Sequence, residues 1–206
     1  MQHRIGFMQG RLSPPVDGRI QAFPRDQWRE EFILADEVGF RIMEWTLDHE
    51  QLLDNPLMNT AGRQEIRQLS ELHGVAIPSL TGDCFMQAPF WKASGKQRYQ
   101  LEGFVRVVLD ACHAAGIGTV VVPLVDSGSL TDKAEEELLA RFLLSQVEDL
   151  DQFGLRVAFE SDLPPSELAA FIERFPSELF GINYDIGNSA SLGFDPIEEF
   201  AAYKTG

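Results

Sequence analysis

The 206-residue sequence predicts an α/β fold of the (β/α)8 TIM-barrel type, with six β/α units present, and three observations carry that expectation. Short apolar runs alternate with helical stretches of three or four turns. Four of those stretches close on a glycine, at Gly39, Gly74, Gly116 and Gly154, and an apolar run starts directly after each. Polar residues then follow nearly every run, including Gln9, Glu44, Asp83, Asp126, Glu160 and Asp185. In a barrel of parallel strands such residues converge on one mouth.

Each element has its own local reason. The predicted strands lie at residues 5–8, 41–45, 75–80, 119–122, 156–160 and 181–185. They read as continuous apolar runs rather than alternating ones, as parallel strands buried on both faces do. Between them, Leu101, Val105, Val108, Cys112 and Ala115 recur at three- and four-residue steps, as do Leu139, Leu143, Val147 and Leu150. Each series forms one apolar stripe on a helix. A last helix begins after Asp195-Pro196. A doubly wound nucleotide-binding sheet shares the alternation, but no GxGxxG or GxxxxGK[ST] follows the first strand. The two glycines of GFMQGRLSPP have the wrong spacing.

Composition narrows the function classes. With 44% hydrophobic and 24% charged residues, the chain is expected to form a single domain over residues 1–206. A formal net charge of -15 opposes a phosphate backbone, which argues against nucleic acid as a partner. Neither a signal-peptide pattern nor an apolar run of ~18 residues is present, so no membrane association is expected. Cys84 and Cys112 lack metal-type spacing and suit free thiols in a reducing, cytoplasmic setting. The histidines carry little: His73 and His113 fall in last helical turns, and His49 reads as a loop residue.

Glu160 closes RVAFE and Asp185 closes FGINYD. Two carboxylates at successive strand ends read as half of a metal site, and hard oxygen donors favour Mg2+ or Mn2+. Both have structural alternatives. Glu160 as a strand-end acid would cap a helix or pair with a base, and Asp185 before Ile-Gly-Asn would cap the following turn.

The segments GFMQGRLSPP, GFRIMEWTLD, VAIPSLTGDCFMQAPF, VVVPLVDSG, VAFESD and FGINYDIGNSASLGFDPIEEF resemble the xylose-isomerase-like barrel family of sugar and sugar-phosphate isomerases and epimerases. The resemblance implies that Glu160 and Asp185 bind a divalent cation and that Glu160 doubles as the catalytic base. Two further ligands, a histidine and a glutamate, would lie on strands seven and eight, beyond Gly206, and a histidine there would admit Co2+ or Zn2+. It also implies a small sugar, keto-sugar or sugar-phosphate substrate, with proton transfer next to a carbonyl and a metal-stabilised enediolate. The chain alone is then expected to be weakly active.

Substrate contacts are expected from Gln9, Arg11, Glu44, Asp83 and Asn188. For Glu44 the alternative is a buried pair with Arg11 or Arg41, and for Arg11 a rim salt bridge. Phe85, Phe90 and Trp91 would form an apolar wall against a sugar ring, or pack among themselves. Asn188 departs from metal-rich relatives, which carry histidine there, and it is a poor zinc ligand. A non-catalytic sugar-binding or assembly module and a keto-polyol dehydratase remain as other readings. Six units would leave exposed strand edges, which raises the expectation of a homo-oligomer.

Overall fold

Four left-handed glycines set the rhythm of the chain. Gly39, Gly74, Gly116 and Gly154 have φ between 62° and 88°, a conformation open to a residue without Cβ, and each ends a helix just before a strand. The computed structural model describes residues 5–16, 18–19 and 22–203.

Among the described residues, six strands form one sheet in sequence order: β1 (Phe7–Met8), β2 (Ile42–Thr46), β3 (Ala76–Thr81), β4 (Thr119–Leu124), β5 (Arg156–Ser161) and β6 (Phe180–Ile182). Every neighbouring pair is parallel. Helices cross back between the strands: α1 (Glu30–Val38), α2 (Thr60–His73), α3 (Asp83–Gln87), α4 (Gly95–Ala115), α5 (Lys133–Leu144), α6 (Val147–Phe153) and α7 (Pro165–Ile172). Two more, α8 (Ile186–Leu192) and α9 (Pro196–Tyr203), follow β6. The architecture is TIM-barrel-like, and in this order β1 and β6 each have one strand neighbour.

Side-chain alternation along the strands separates core from site. In β2, Met43 and Trp45 are buried while Ile42 and Glu44 are half-buried; in β5, Val157 and Phe159 are buried while Ala158 and Glu160 are half-buried. The buried set packs outward on helices and loops. Trp45 meets Trp28 at 5.8 Å and Phe23 at 5.6 Å between ring centroids, and Phe159 meets Phe171 of α7 at 5.3 Å. Glu44 and Glu160 therefore share the opposite, inner face. β4 is buried on both faces from Val120 to Leu124, as its central place in the sheet requires.

Three local expectations need correction. β6 stops at Ile182, short of Asp185, because the Asp185 carboxylate accepts from the Asn188 N–H at 2.7 Å and caps α8. A side chain that bonds nearby backbone draws it out of the ladder. α8 itself is additional, and its sequence IGNSASL has no buried residue and so no apolar stripe to read. The helix expected along Leu139 to Leu150 breaks into α5 and α6, where Ser145 Oγ donates to the Phe142 carbonyl at 2.6 Å.

Phe159 is fully buried against Phe171, Phe175 and Phe180. Phe159→Ala is expected to destabilise the chain by about 3–5 kcal/mol, measured by urea denaturation. A loss below ~1 kcal/mol would show that this cluster does not hold β5 to α7.

Candidate metal and substrate site

A cleft of about 440 Å3 opens where the strands end. Asp83, Met86 and Gln87 of α3 line one side, Pro123, Val125 and Asp126 at the end of β4 the next, then Glu160 and Asp162 from β5, and Asp185, Asn188, Ser191 and Leu192 around α8. Parallel strands bring these residues to one place from positions up to 109 residues apart in the chain, Asp83 to Leu192. Five of them are carboxylates. No arginine or lysine is among the described residues lining it.

Glu160 is the best-defined member. Its Oε1 accepts from Asn188 Nδ2 at 2.6 Å and its Oε2 from Asn183 Nδ2 at 3.3 Å, so two amides hold both carboxylate oxygens. Burial, and then the charge of Asp185, push its pKa up to about 6, while the Asn183 contact works the other way. Asp185 caps α8 through Oδ1, as the structural alternative foresaw, and its Oδ2 makes no hydrogen bond among the described residues. Asn183 is a contact that sequence reading missed, although its place two residues before Asp185 was a usable signal.

The other expected site residues separate into two groups. Asp83 and Asn188 line the cleft, whereas Gln9, Arg11 and Glu44 are not among its lining residues. Gln9 is fully buried and ties β1 to β2: its Oε1 accepts from the Thr46 N–H at 3.2 Å, and its Nε2 has no hydrogen-bond partner among the described residues. Glu44 receives a hydrogen bond from Ser79 Oγ at 2.7 Å, and burial raises its pKa. Neither arginine pairs with it, since Arg41 bridges to Asp36 at 2.9 Å and the Arg11 side chain is exposed and makes no described ion pair. The aromatic wall is absent at the cleft. Phe85, Phe90 and Trp91 are buried, with Phe90 packed on Phe142 and Trp91 Nε1 donating to the Gly128 carbonyl.

Sequence reading also missed Glu31, which shapes the loop after β1. Its buried carboxylate accepts from the N–H groups of Gly10, Leu12 and Ser13 at 2.7–3.0 Å and from Ser13 Oγ at 3.0 Å. Its partners lie 18 to 21 residues away, beyond any local pattern. His73 and His113 stay away from the cleft: His73 Nδ1 lies 3.5 Å from Asp36 Oδ2, and His113 Nδ1 lies 3.0 Å from the Phe153 carbonyl.

Residues 32–205 match the xylose isomerase-like TIM barrel family. The chain belongs to that family. Solved structures of similar fold include a xylose isomerase domain protein from Planctomyces limnophilus, at 16% identity and a TM-score of 0.65, over 84% of this chain and 65% of that one. A D-psicose 3-epimerase determined in the presence of D-fructose aligns at 13% identity and a TM-score of 0.62, over 80% of this chain and 60% of its own. A xylose isomerase-like TIM barrel protein from Mycobacterium smegmatis in complex with magnesium aligns at 17% identity and a TM-score of 0.67, over 97% and 71%. This member of the family thus spans less than two thirds of the length of the first two. No curated protein sequence matches the chain significantly.

The donor chemistry of this xylose isomerase-like cleft fits a hard divalent cation in part. Glu160 and Asp185 are close enough for the charge of one to raise the pKa of the other, and a cation between such groups relieves that repulsion. Mg2+ is commonly held by one or two carboxylates with water completing its octahedron. Among the described residues, no three His, Cys, Asp or Glu side chains gather in metal-holding geometry.

The raised Glu160 pKa has a pH signature. The folded chain holds this proton more tightly than the unfolded chain, so the group's contribution to stability falls as pH rises from the ordinary 4.5 to about 6. Without bound metal, Glu160→Gln is expected to gain about 1 kcal/mol relative to the parent above that window, a figure reduced for solvent screening. The gain should vanish below it. Urea denaturation on either side of the window measures the difference.

Proposed function

We propose that the chain carries the proton-transfer half of a divalent-metal-dependent isomerase or epimerase acting on a small keto-sugar. Membership of the xylose isomerase-like family supports this reading, as does the name of the similar D-psicose 3-epimerase. The observation that carries it is the Glu160 carboxylate, held by two amides beside Asp185 at the floor of an open cleft.

Isomerisation and epimerisation next to a carbonyl both begin by removing a proton from carbon. A base works best when its pKa lies near the operating pH, and Glu160, raised to about 6, is closer to neutrality than an ordinary carboxylate. Asn183 and Asn188 fix the plane of its carboxylate, which orients the lone pair that meets the substrate C–H. Glu160 and Asp185 would hold Mg2+ or Mn2+, and the similar protein in complex with magnesium supports that choice. When bound, the cation supplies an electrophile for the charge that develops on the substrate oxygen. Asp83 and Asn188 offer hydrogen-bonding groups for sugar hydroxyls. Five carboxylates around the cleft favour an uncharged keto-sugar over its phosphate.

The test is solvent deuterium exchange into a ketohexose carbon, with and without Mn2+. Exchange is expected to require the metal and to fall by at least ~100-fold in Glu160→Gln. Exchange that persists unchanged in that variant would refute the assignment. Product mass separates the alternative dehydratase, which loses water, and saturable sugar binding without any exchange would identify a binding module.

A further inference from the structure

Glu199 of α9 is 1% exposed, and no cation pairs with it among the described residues. Burying a carboxylate without a counter-charge is costly unless its oxygens are satisfied. Here two hydroxyls satisfy them. Tyr184 Oη donates to Oε2 at 2.8 Å, and Ser189 Oγ donates to Oε1 at 2.7 Å.

Those two donors bracket the part of the site that β6 delivers. Tyr184 immediately precedes Asp185, and Ser189 immediately follows Asn188. The segment between them has little else to hold it. α8 has no buried residue, and Ile186 and Leu192 at its ends are 73% and 46% exposed. Without an apolar face, its placement depends on polar contacts: the Asp185 cap, the Asn188 bond to Glu160, and the two hydroxyls on Glu199. The Tyr184 ring also packs on Phe200 of α9, at 4.9 Å between centroids, so Glu199 acts from a helix already docked there.

We infer that Glu199 is a positioning residue: from α9 it clamps both ends of the 184–189 segment and so sets where Asp185 and Asn188 stand relative to Glu160. This rests on the reading of Glu160 and Asp185 as a cation-binding pair. Groups that orient metal ligands typically change metal affinity by 10–100-fold when removed. Glu199→Ala removes both acceptors. Glu199→Gln keeps both contacts, because the amide oxygen accepts from one hydroxyl while the amide N–H donates to the other.

The experiment titrates Mn2+ into the full chain, following free Mn2+ by electron paramagnetic resonance, with thermal unfolding measured in parallel. Glu199→Ala is expected to weaken Mn2+ binding about 10-fold, and Glu199→Gln to restore it. Ser189→Ala, which removes one donor, should fall between them and covers the case in which Glu199→Ala does not fold. Leu139→Ala, buried in α5, serves as a variant destabilised elsewhere and should keep the parent affinity. Equal affinity in Glu199→Ala and the parent, or an equal loss in Leu139→Ala, would overturn the positioning role alone. A parent chain that takes up no Mn2+ would overturn the cation-pair reading, and the positioning role with it.

Discussion

Parallel pairing of β4 with β5 is the constraint on which the remaining structure depends. Six consecutive residue pairs, from Thr119 with Arg156 to Leu124 with Ser161, set the two strands level and place Glu160 beside Pro123. Because every other pair in the sheet is also parallel, all strands end on the same side. Whatever polar residue follows a strand must therefore appear at one mouth. The consequence is electrostatic as well as geometric. Asp83, Asp126, Glu160, Asp162 and Asp185 meet around one cleft, where burial and then the charge of Asp185 raise the pKa of Glu160.

Buried carboxylates recur as fasteners around that mouth. Glu31 gathers the N–H groups of Gly10, Leu12 and Ser13 after β1. Asp48, after β2, accepts from the Phe23 N–H at 2.8 Å and from Gln87 Nε2 at 2.9 Å, joining the incoming loop to α3. Glu199 joins the segment after β6 to α9. Each supplies acceptors where backbone or hydroxyl donors would otherwise lie unpaired, and a missing acceptor in such a place is more costly than an ordinary hydrogen bond is favourable. Loops secured this way are ordered by polar contacts that do not need an apolar stripe. That is how a short, exposed helix such as α8 can carry residues that line the cleft.

The repeat of β/α units was legible because its signals are local. A glycine at a left-handed helix end and an apolar run directly after it require only neighbouring residues, and all four such glycines adopt the expected conformation. Strand-end acids were legible for the same reason, and Asp83, Glu160, Asp185 and Asn188 do meet at the cleft. Gln9, Glu44 and the aromatic group after β3 were harder to place. Their exposure depends on what packs over them, and Phe90 and Trp91 were covered by Phe142 and Gly128, some 37 to 52 residues away. The early end of β6 had a local cause, the Asp185 cap, which competed with an equally local strand pattern.

By itself, then, the sequence determined the order of the six strands, the parallel architecture, the family resemblance and the two acids near the ends of the last two strands. These follow from periodicity, capping and motif, each readable within a few residues. Only the tertiary structure decided that Glu160 sits between Asn183 and Asn188, that Glu44 turns to Ser79 rather than to an arginine, and that Glu31 and Glu199 hold the loops at the mouth. A carboxylate finds its partner by proximity in space, and the local sequence pattern carries no record of which distant donor the folded chain will bring within 3 Å of it.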